Sequence, residues 1–256
     1  MKVVILAGGL GTRISEESHL KPKPMIEIGG MPILWHIMKY YSHFGFNEFI
    51  ICCGYKGYMI KEYFADYYLH HSDVTFDFSA ENKMIVHSNV AMPWKVTLVH
   101  TGRNSQTGGR VKRVAPYIGN ERFMLTYGDG VSNVDLKALL AQHENSGKTV
   151  TITAIQPGGR FGVLDIEGET VTGFKEKAKE DSSWINGGFM VAEPELLNLI
   201  DDDYTVLERI PLEKLSVEGK LGVYKHNGFW QCMDTQRDKG NLEAQWSNND
   251  ALWKVW

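Results

Sequence analysis

Five short segments of this 256-residue chain carry residue types that could do chemistry. The first is Gly8-Gly9-Leu10-Gly11-Thr12-Arg13, directly after an apolar run at residues 2–6. Glycines let a backbone approach a ligand and aim its N–H groups at anionic oxygens. Thr12 adds a hydroxyl, and Arg13 adds a two-pronged clamp for phosphate. The spacing is neither the dinucleotide fingerprint nor a Walker A loop. The segment also fits a plain tight turn, but three glycines and an arginine after a strand favour phosphate binding.

The second segment is Lys21-Pro22-Lys23-Pro24. Its prolines stiffen the backbone and disfavour helix, so two lysines could be aimed at a polyphosphate with little entropy loss. Alone, such a segment is more often a solvated basic turn. The third is Tyr127-Gly128-Asp129-Gly130, after an apolar run. An aspartate there suits Mg²⁺, which takes one or two carboxylates plus phosphate oxygens; it also suits an Asp-Gly turn. Asp234 is the second carboxylate of choice, with a helix N-cap as its ordinary alternative. The fourth is Thr107-Gly108-Gly109-Arg110, whose glycines would let a flat base lie against the backbone. The polar residues just before it, 103–106, could read base edges, or the whole could be a loop opening a helix. The fifth pairs Glu176-Lys177 with Asn186-Gly187-Gly188. Carboxylate and amide suit sugar hydroxyls, and lysine suits a sugar phosphate. Glu176-Lys177 also reads as an exposed charge cluster.

The elements that must position these segments alternate. Strands are expected at residues 2–6, 48–53, 96–100, 123–127 and 150–155. Helices are expected at 32–44, 56–68, near 110–117 and at 136–145. Such alternation makes a mostly parallel sheet with helices on both faces. Ligands then bind beyond the carboxyl ends of the strands, where the glycine-rich segments fall. A hairpin around residues 167–169, a strand at 184–191, helices at 194–200 and 211–218, a strand at 221–225 and a closing helix at 235–246 complete a smaller β/α part. Residues of about 66–95 break the alternation and read as an inserted hairpin or lid. A single domain over residues 1–256 is expected.

Composition narrows the function classes. The 27 basic and 31 acidic residues give a net charge of −4, against a nucleic-acid binder that relies on bulk positive charge. No apolar run approaches the roughly 20 residues of a membrane helix. Residues 1–4 show no secretory pattern. Three cysteines, two of them adjacent (Cys52 and Cys53), provide neither a disulfide framework nor zinc spacing. The expected compartment is the cytoplasm. The nine histidines form no metal constellation.

The combination resembles the sugar-phosphate nucleotidylyltransferases. Leu6-Ala7 followed by the glycine-rich segment, then Lys21-Pro22-Lys23-Pro24, carries the general signature. Residues 23–39, 49–61, 107–113, 127–130, 185–189 and 229–239 resemble the glucose-1-phosphate cytidylyltransferases in particular. The resemblance implies a Rossmann-like nucleotidyltransferase fold. It implies Mg²⁺-dependent conversion of CTP and glucose 1-phosphate into CDP-glucose and pyrophosphate, feeding nucleotide sugars for lipopolysaccharide O-antigen. By motif, Leu6, Ala7, Gly8, Gly9, Gly11, Thr12, Arg13, Lys23 and Gly128 would hold the nucleotide, with Arg13 and Lys23 catalytic. Thr107, Gly108 and Gly109 would lie along the cytosine. Asp129 and Asp234 would bind the metal. Glu176, Lys177, Asn186 and Gly187 would hold the sugar phosphate. One departure is Ala178, where the family commonly has proline. The resemblance also suggests a homo-oligomer. Use of UTP or dTTP instead, or a non-catalytic sugar-nucleotide sensor, are the alternatives.

Overall fold

A computed structural model describes residues 1–79, 82–157, 162–167, 170–176 and 184–256. The chain opens with Lys2–Ala7 (β1), a 3-10 turn at Thr12–Ile14, a short helix Ser15–Ser18 (α1) and a second 3-10 turn at Lys23–Met25. A small ribbon follows, Glu27–Ile28 (β2) against Met31–Pro32 (β3). Helix Ile33–His43 (α2) leads to Glu48–Cys53 (β4), and helix Gly57–His70 (α3) to the hairpin Ser72–Asp77 (β5) and Lys83–Asn89 (β6). Next come Lys95–His100 (β7), Thr107–Arg113 (α4), Ala115–Ile118 (α5), Phe123–Tyr127 (β8) and Gly130–Ser132 (β9). Helix Leu136–Ser146 (α6) precedes Val150–Ile155 (β10), and Gly162–Glu167 (β11) pairs with Thr170–Glu176 (β12). Then follow Ile185–Asn186 (β13), Met190–Ala192 (β14), a 3-10 segment Pro194–Leu199, Ile210–Val217 (α7), Leu221–His226 (β15), Trp230–Cys232 (β16) and Gln236–Ser247 (α8).

The central sheet runs β7-β4-β1-β8-β14-β10. Strands β7, β4, β1 and β8 are parallel. β14 is antiparallel between β8 and β10, β13 pairs with the end of β10, and β15 pairs parallel with β10. β1 is apolar and buried from Val3 to Ala7 because helices cover both of its faces. One apolar layer gathers Ile33, Ile37 and Phe49 with the C-terminal Trp253; the other gathers Val4, Val111, Phe123 and Leu125. The chain steps from β1 to β4 on one side and returns to β8 on the other. That reversal leaves a crevice beyond the ends of β1 and β8.

Three readings need correction. The helix near residues 110–117 is two pieces, α4 and α5, because Pro116 has no N–H to continue the first. The strand over residues 184–191 breaks into β13 and β14 around Gly188 and Phe189, whose φ angles are +77° and +45°. The Lys21–Pro24 segment forms no α-helix, in keeping with its prolines, and takes only one 3-10 turn over Lys23–Met25. Pro24 opens that turn, closed by Met25 N–H to Pro22 O (2.8 Å) and Ile26 N–H to Lys23 O (3.1 Å). Finally, Asp234 is not a helix cap. Thr235 caps α8, in a reciprocal box with Asp238.

Candidate active site

The glycine-rich segment leaves β1 at its carboxyl end, and Gly128-Asp129 leaves β8 beside it. Gly128 N–H donates to Leu6 O at 2.9 Å and so ties the two strand ends together. Between them opens a cleft of about 330 Å³. Leu6, Ala7, Gly8, Gly9, Gly11, Thr12, Arg13, Lys23, Thr107, Gly128 and Asp129 all line it. Ser105, Gln106 and Tyr127 line it as well.

At one end of the cleft the charges are concentrated. The 3-10 turn at residue 23 directs a buried lysine inward. Lys23 Nζ donates to Asp129 Oδ2 at 2.5 Å and to Asp234 Oδ1 at 2.6 Å. Arg13 Nη1 donates to the other Asp234 oxygen, Oδ2, at 2.7 Å. Sheet pairing brings the two aspartates together. β16 runs antiparallel to β9, Cys232 opposite Gly130, so the residues flanking that pair meet. Met233 N–H donates to Asp129 O at 2.8 Å. Because Thr235 does the capping of α8, the Asp234 side chain is left for Lys23 and Arg13. Burial alone would raise the Asp234 carboxyl; the Lys23 ammonium, then Arg13, outweigh it and hold it below the ordinary value. Burial likewise works against the Lys23 charge, and Asp129 and Asp234 overcome it and raise that group.

The side of the cleft framed by α4 is lined by Thr107 and the buried Arg110. Gly108 and Gly109 are buried away from the cleft. A β-carbon on Gly108 would stand 2.6 Å from Thr205 O, and one on Gly109 would stand 2.4 Å from Asp203 O. These glycines admit the chain's own loop before α7, to which Gly109 N–H (3.2 Å to Thr205 O) and Gln106 N–H (2.8 Å to Asp203 O) are bonded. Arg110 is buried and staples loop to strand, donating to Thr101 Oγ1 at 2.8 Å and Gly102 O at 2.7 Å.

That loop before α7 supplies a residue that no sequence motif marks. Glu208 accepts from Thr107 Oγ1 and from the Tyr127 hydroxyl, both at 2.6 Å. Tyr127 in turn accepts from Asn186 Nδ2 at 3.3 Å. Asn186 is thereby joined to the cleft, and Gly187 is fixed beside it by Trp230 Nε1, which donates to Gly187 O at 2.7 Å. Glu176 closes β12. Lys177 lies outside the described residues.

The arrangement is a pocket with a glycine-rich wall, paired cations and two carboxylates together, and Ser105, Gln106, Thr107 and the buried Arg110 lining the rest. That is chemistry for a phosphorylated, flat-ringed ligand. The comparisons agree. The nucleotidyl transferase family model matches residues 2–254. The chain is 58% identical to a glucose-1-phosphate cytidylyltransferase of Salmonella typhi, over 100% of both chains. It is 43% identical to a probable glucose-1-phosphate cytidylyltransferase of Bacillus subtilis, again over 100% of both. Among solved structures, HddC from Yersinia pseudotuberculosis superposes with a TM-score of 0.70 at 24% identity, covering 96% of this chain and 99% of that one. An apo UDP-glucose pyrophosphorylase also gives 0.70, at 14% identity, over 97% and 98%. These two speak for the fold alone. The chain belongs to the nucleotidyl transferase family, and within it to the glucose-1-phosphate cytidylyltransferases.

Proposed function

We propose that the protein transfers CMP from CTP to α-D-glucose 1-phosphate, releasing pyrophosphate and giving CDP-glucose. The observation that carries the reading is the set Arg13, Lys23, Asp129 and Asp234 gathered at one end of a glycine-walled cleft. A phosphate oxygen of glucose 1-phosphate attacks the α-phosphorus of CTP, and pyrophosphate leaves in line. The nucleophile is already an anion near neutral pH, so no general base is required. The barrier comes from repulsion between two anions and from charge growing on the leaving group. Positioning and charge neutralisation are what this chain must supply. Arg13 and Lys23 offset the triphosphate charge, and the N–H groups of residues 8–13 face its oxygens. Asn186 and Gly187 orient the sugar; by motif, Glu176 and Lys177 are assigned to the sugar phosphate.

A divalent cation fits this site. Asp129 and Asp234 converge on one point, now held by the Lys23 ammonium, so a cation there is already stabilised. Two hard carboxylates with open room for phosphate oxygens suit Mg²⁺. Held by these two side chains, Mg²⁺ supplies further neutralisation of the triphosphate and leaving group. A CTP-consuming reaction supports a cytoplasmic location, and the family resemblance supports a homo-oligomer.

The test is pyrophosphate release from glucose 1-phosphate with Mg²⁺, comparing CTP, UTP, dTTP, ATP and GTP. Strong preference for CTP is expected. Turnover with UTP or dTTP instead keeps the chemistry and overturns the nucleotide assignment. No release with any nucleotide, while CDP-glucose still binds, makes the protein a sensor.

A further inference from the structure

Pyrimidine bases differ at one edge in the direction of a hydrogen bond. Cytosine carries an amino donor where uracil and thymine carry a carbonyl acceptor. A site separates them only if the group facing that edge has a fixed direction of its own. Phosphates fall beside Arg13 and Lys23, so the base falls along Ser105, Gln106, Thr107 and Arg110, the last with its Nη1 already committed to Thr101 and Gly102. The Ser105 hydroxyl and the Gln106 amide can each donate or accept, so neither sets a direction by itself.

Thr107 differs from them. Its Oγ1 lies 2.6 Å from Glu208 Oε2 and 2.9 Å from the backbone nitrogen of Leu207. An ionised carboxylate has no hydrogen to give, so the single hydroxyl hydrogen of Thr107 goes to Glu208. The Leu207 N–H takes one of the two oxygen lone pairs. One lone pair remains, with no hydrogen to accompany it. Glu208 is itself pinned from the other side, because the Tyr127 hydroxyl donates to Oε1 at 2.6 Å. Burial of Tyr127, reinforced by the Glu208 charge, raises its phenol, which therefore stays protonated and keeps donating. The carboxylate cannot turn without breaking both bonds.

We propose that Thr107, made a pure acceptor by the positioning residue Glu208, selects the amino group of cytosine and rejects the carbonyl of uracil and thymine. This rests on the cytidylyltransferase reading above. A cytosine amino hydrogen meets the free lone pair of Thr107. A uracil or thymine oxygen meets that lone pair head on, and two buried acceptors are left unpaired.

The experiment measures kcat/KM for CTP and for UTP, and dissociation constants for CDP-glucose and UDP-glucose, in wild type, Thr107→Val and Glu208→Ala. Circular dichroism melting checks that each variant is folded. Thr107→Val should lower the CTP:UTP ratio at least about tenfold, chiefly by weakening CTP, since one directed hydrogen bond is lost. Glu208→Ala frees the Thr107 hydrogen and should lower the ratio by a similar factor, chiefly by improving UTP. The double variant should match Thr107→Val alone, because Glu208 then has no hydroxyl to orient. The product dissociation constants should shift in the same sense. An unchanged ratio in either folded variant overturns the proposal. A wild type indifferent to CTP and UTP overturns the nucleotide assignment itself, so the two failures are read from different samples.

Discussion

Arg110 Nη1 occupies the place where a side chain on Gly8 would begin: a β-carbon there would stand 2.1 Å from it. The guanidinium is held by Thr101 and Gly102, so it cannot swing aside without giving up buried hydrogen bonds. The backbone of the glycine-rich segment thus rests on a charge anchored two strands away. Tyr55 N–H donates to Gly8 O at 3.1 Å and closes the same junction. Gly8→Ala should weaken CDP-glucose binding at least about tenfold and destabilise the fold by about 1–3 kcal/mol. Calorimetric titration and thermal melting check the two effects separately. Binding at wild-type strength in the folded variant would show that the segment does not depend on this contact.

Lys23 and its carboxylates invite a charge-removal series. Lys23→Ala should reduce turnover by about 10²–10³, as for loss of a preorganised charged donor. Asp129→Asn should do the same while the circular dichroism spectrum stays that of the folded chain. Near-normal turnover in either purified variant would remove that residue from the reacting-phosphate machinery.

Gly109 answers a different question, because its Cα hydrogen faces backbone rather than cleft. Gly109→Ala puts a methyl carbon 2.4 Å from Asp203 O, a fixed atom, so the loop before α7 must move. A loss of about 1–3 kcal/mol is expected from the overpacking. Glu208 sits on that displaced loop, so the CTP:UTP ratio should fall together with the melting temperature. An alanine variant as stable as wild type would mean the loop yields freely.

His36 sets a pH dependence of stability. It is fully buried, with its Nε2 2.8 Å from Ile28 O and its Nδ1 accepting from Trp253 Nε1 at 3.3 Å. That pairing needs the neutral ring, and burial lowers its pKa from 6.5 to about 4. The unfolded chain takes up a proton near 6.5 that the folded chain refuses until about 4. The stability from the neutral ring is therefore complete above the upper value and drains away as pH falls through this window, by up to about 1.4 kcal/mol per unit. Denaturant unfolding across that range should show the loss. His36→Gln should be less stable near neutrality but should show a flatter slope.

Much of the frame was legible in the sequence because burial on both faces leaves an unmistakable apolar run. The strand Glu48–Cys53 carries its apolar run from Phe49 on, and Phe123–Tyr127 is buried over its first four residues. Gly8 through Arg13 and Asp129 were legible for a related reason: loops at strand ends carry ligand chemistry in such sheets. Phe189 was not. Its φ of +45° breaks a strand that its apolar neighbours imply, and tertiary packing against Tyr41, stacked at 6.0 Å, holds it there. Glu208 was hidden for a deeper reason. In Val206-Leu207-Glu208-Arg209 it reads as one more surface charge, and only the return of the loop to α4 brings it between Thr107 and Tyr127. Gly108 and Gly109 carry a second role that their motif does not announce. Their lack of a side chain admits the backbone of residues 203 and 205.

The two adjacent cysteines of β4 point in opposite directions, Cys53 into the layer with Ile33 and Phe49, Cys52 into the layer with Val4 and Phe123. Burial pushes both thiols up, Cys53 to about 11, so neither reacts while its layer is closed. One peptide bond therefore carries two chemical clocks, one for each face of the sheet. Timed alkylation followed by mass spectrometry of that single fragment would tell whether the two faces open together or in turn.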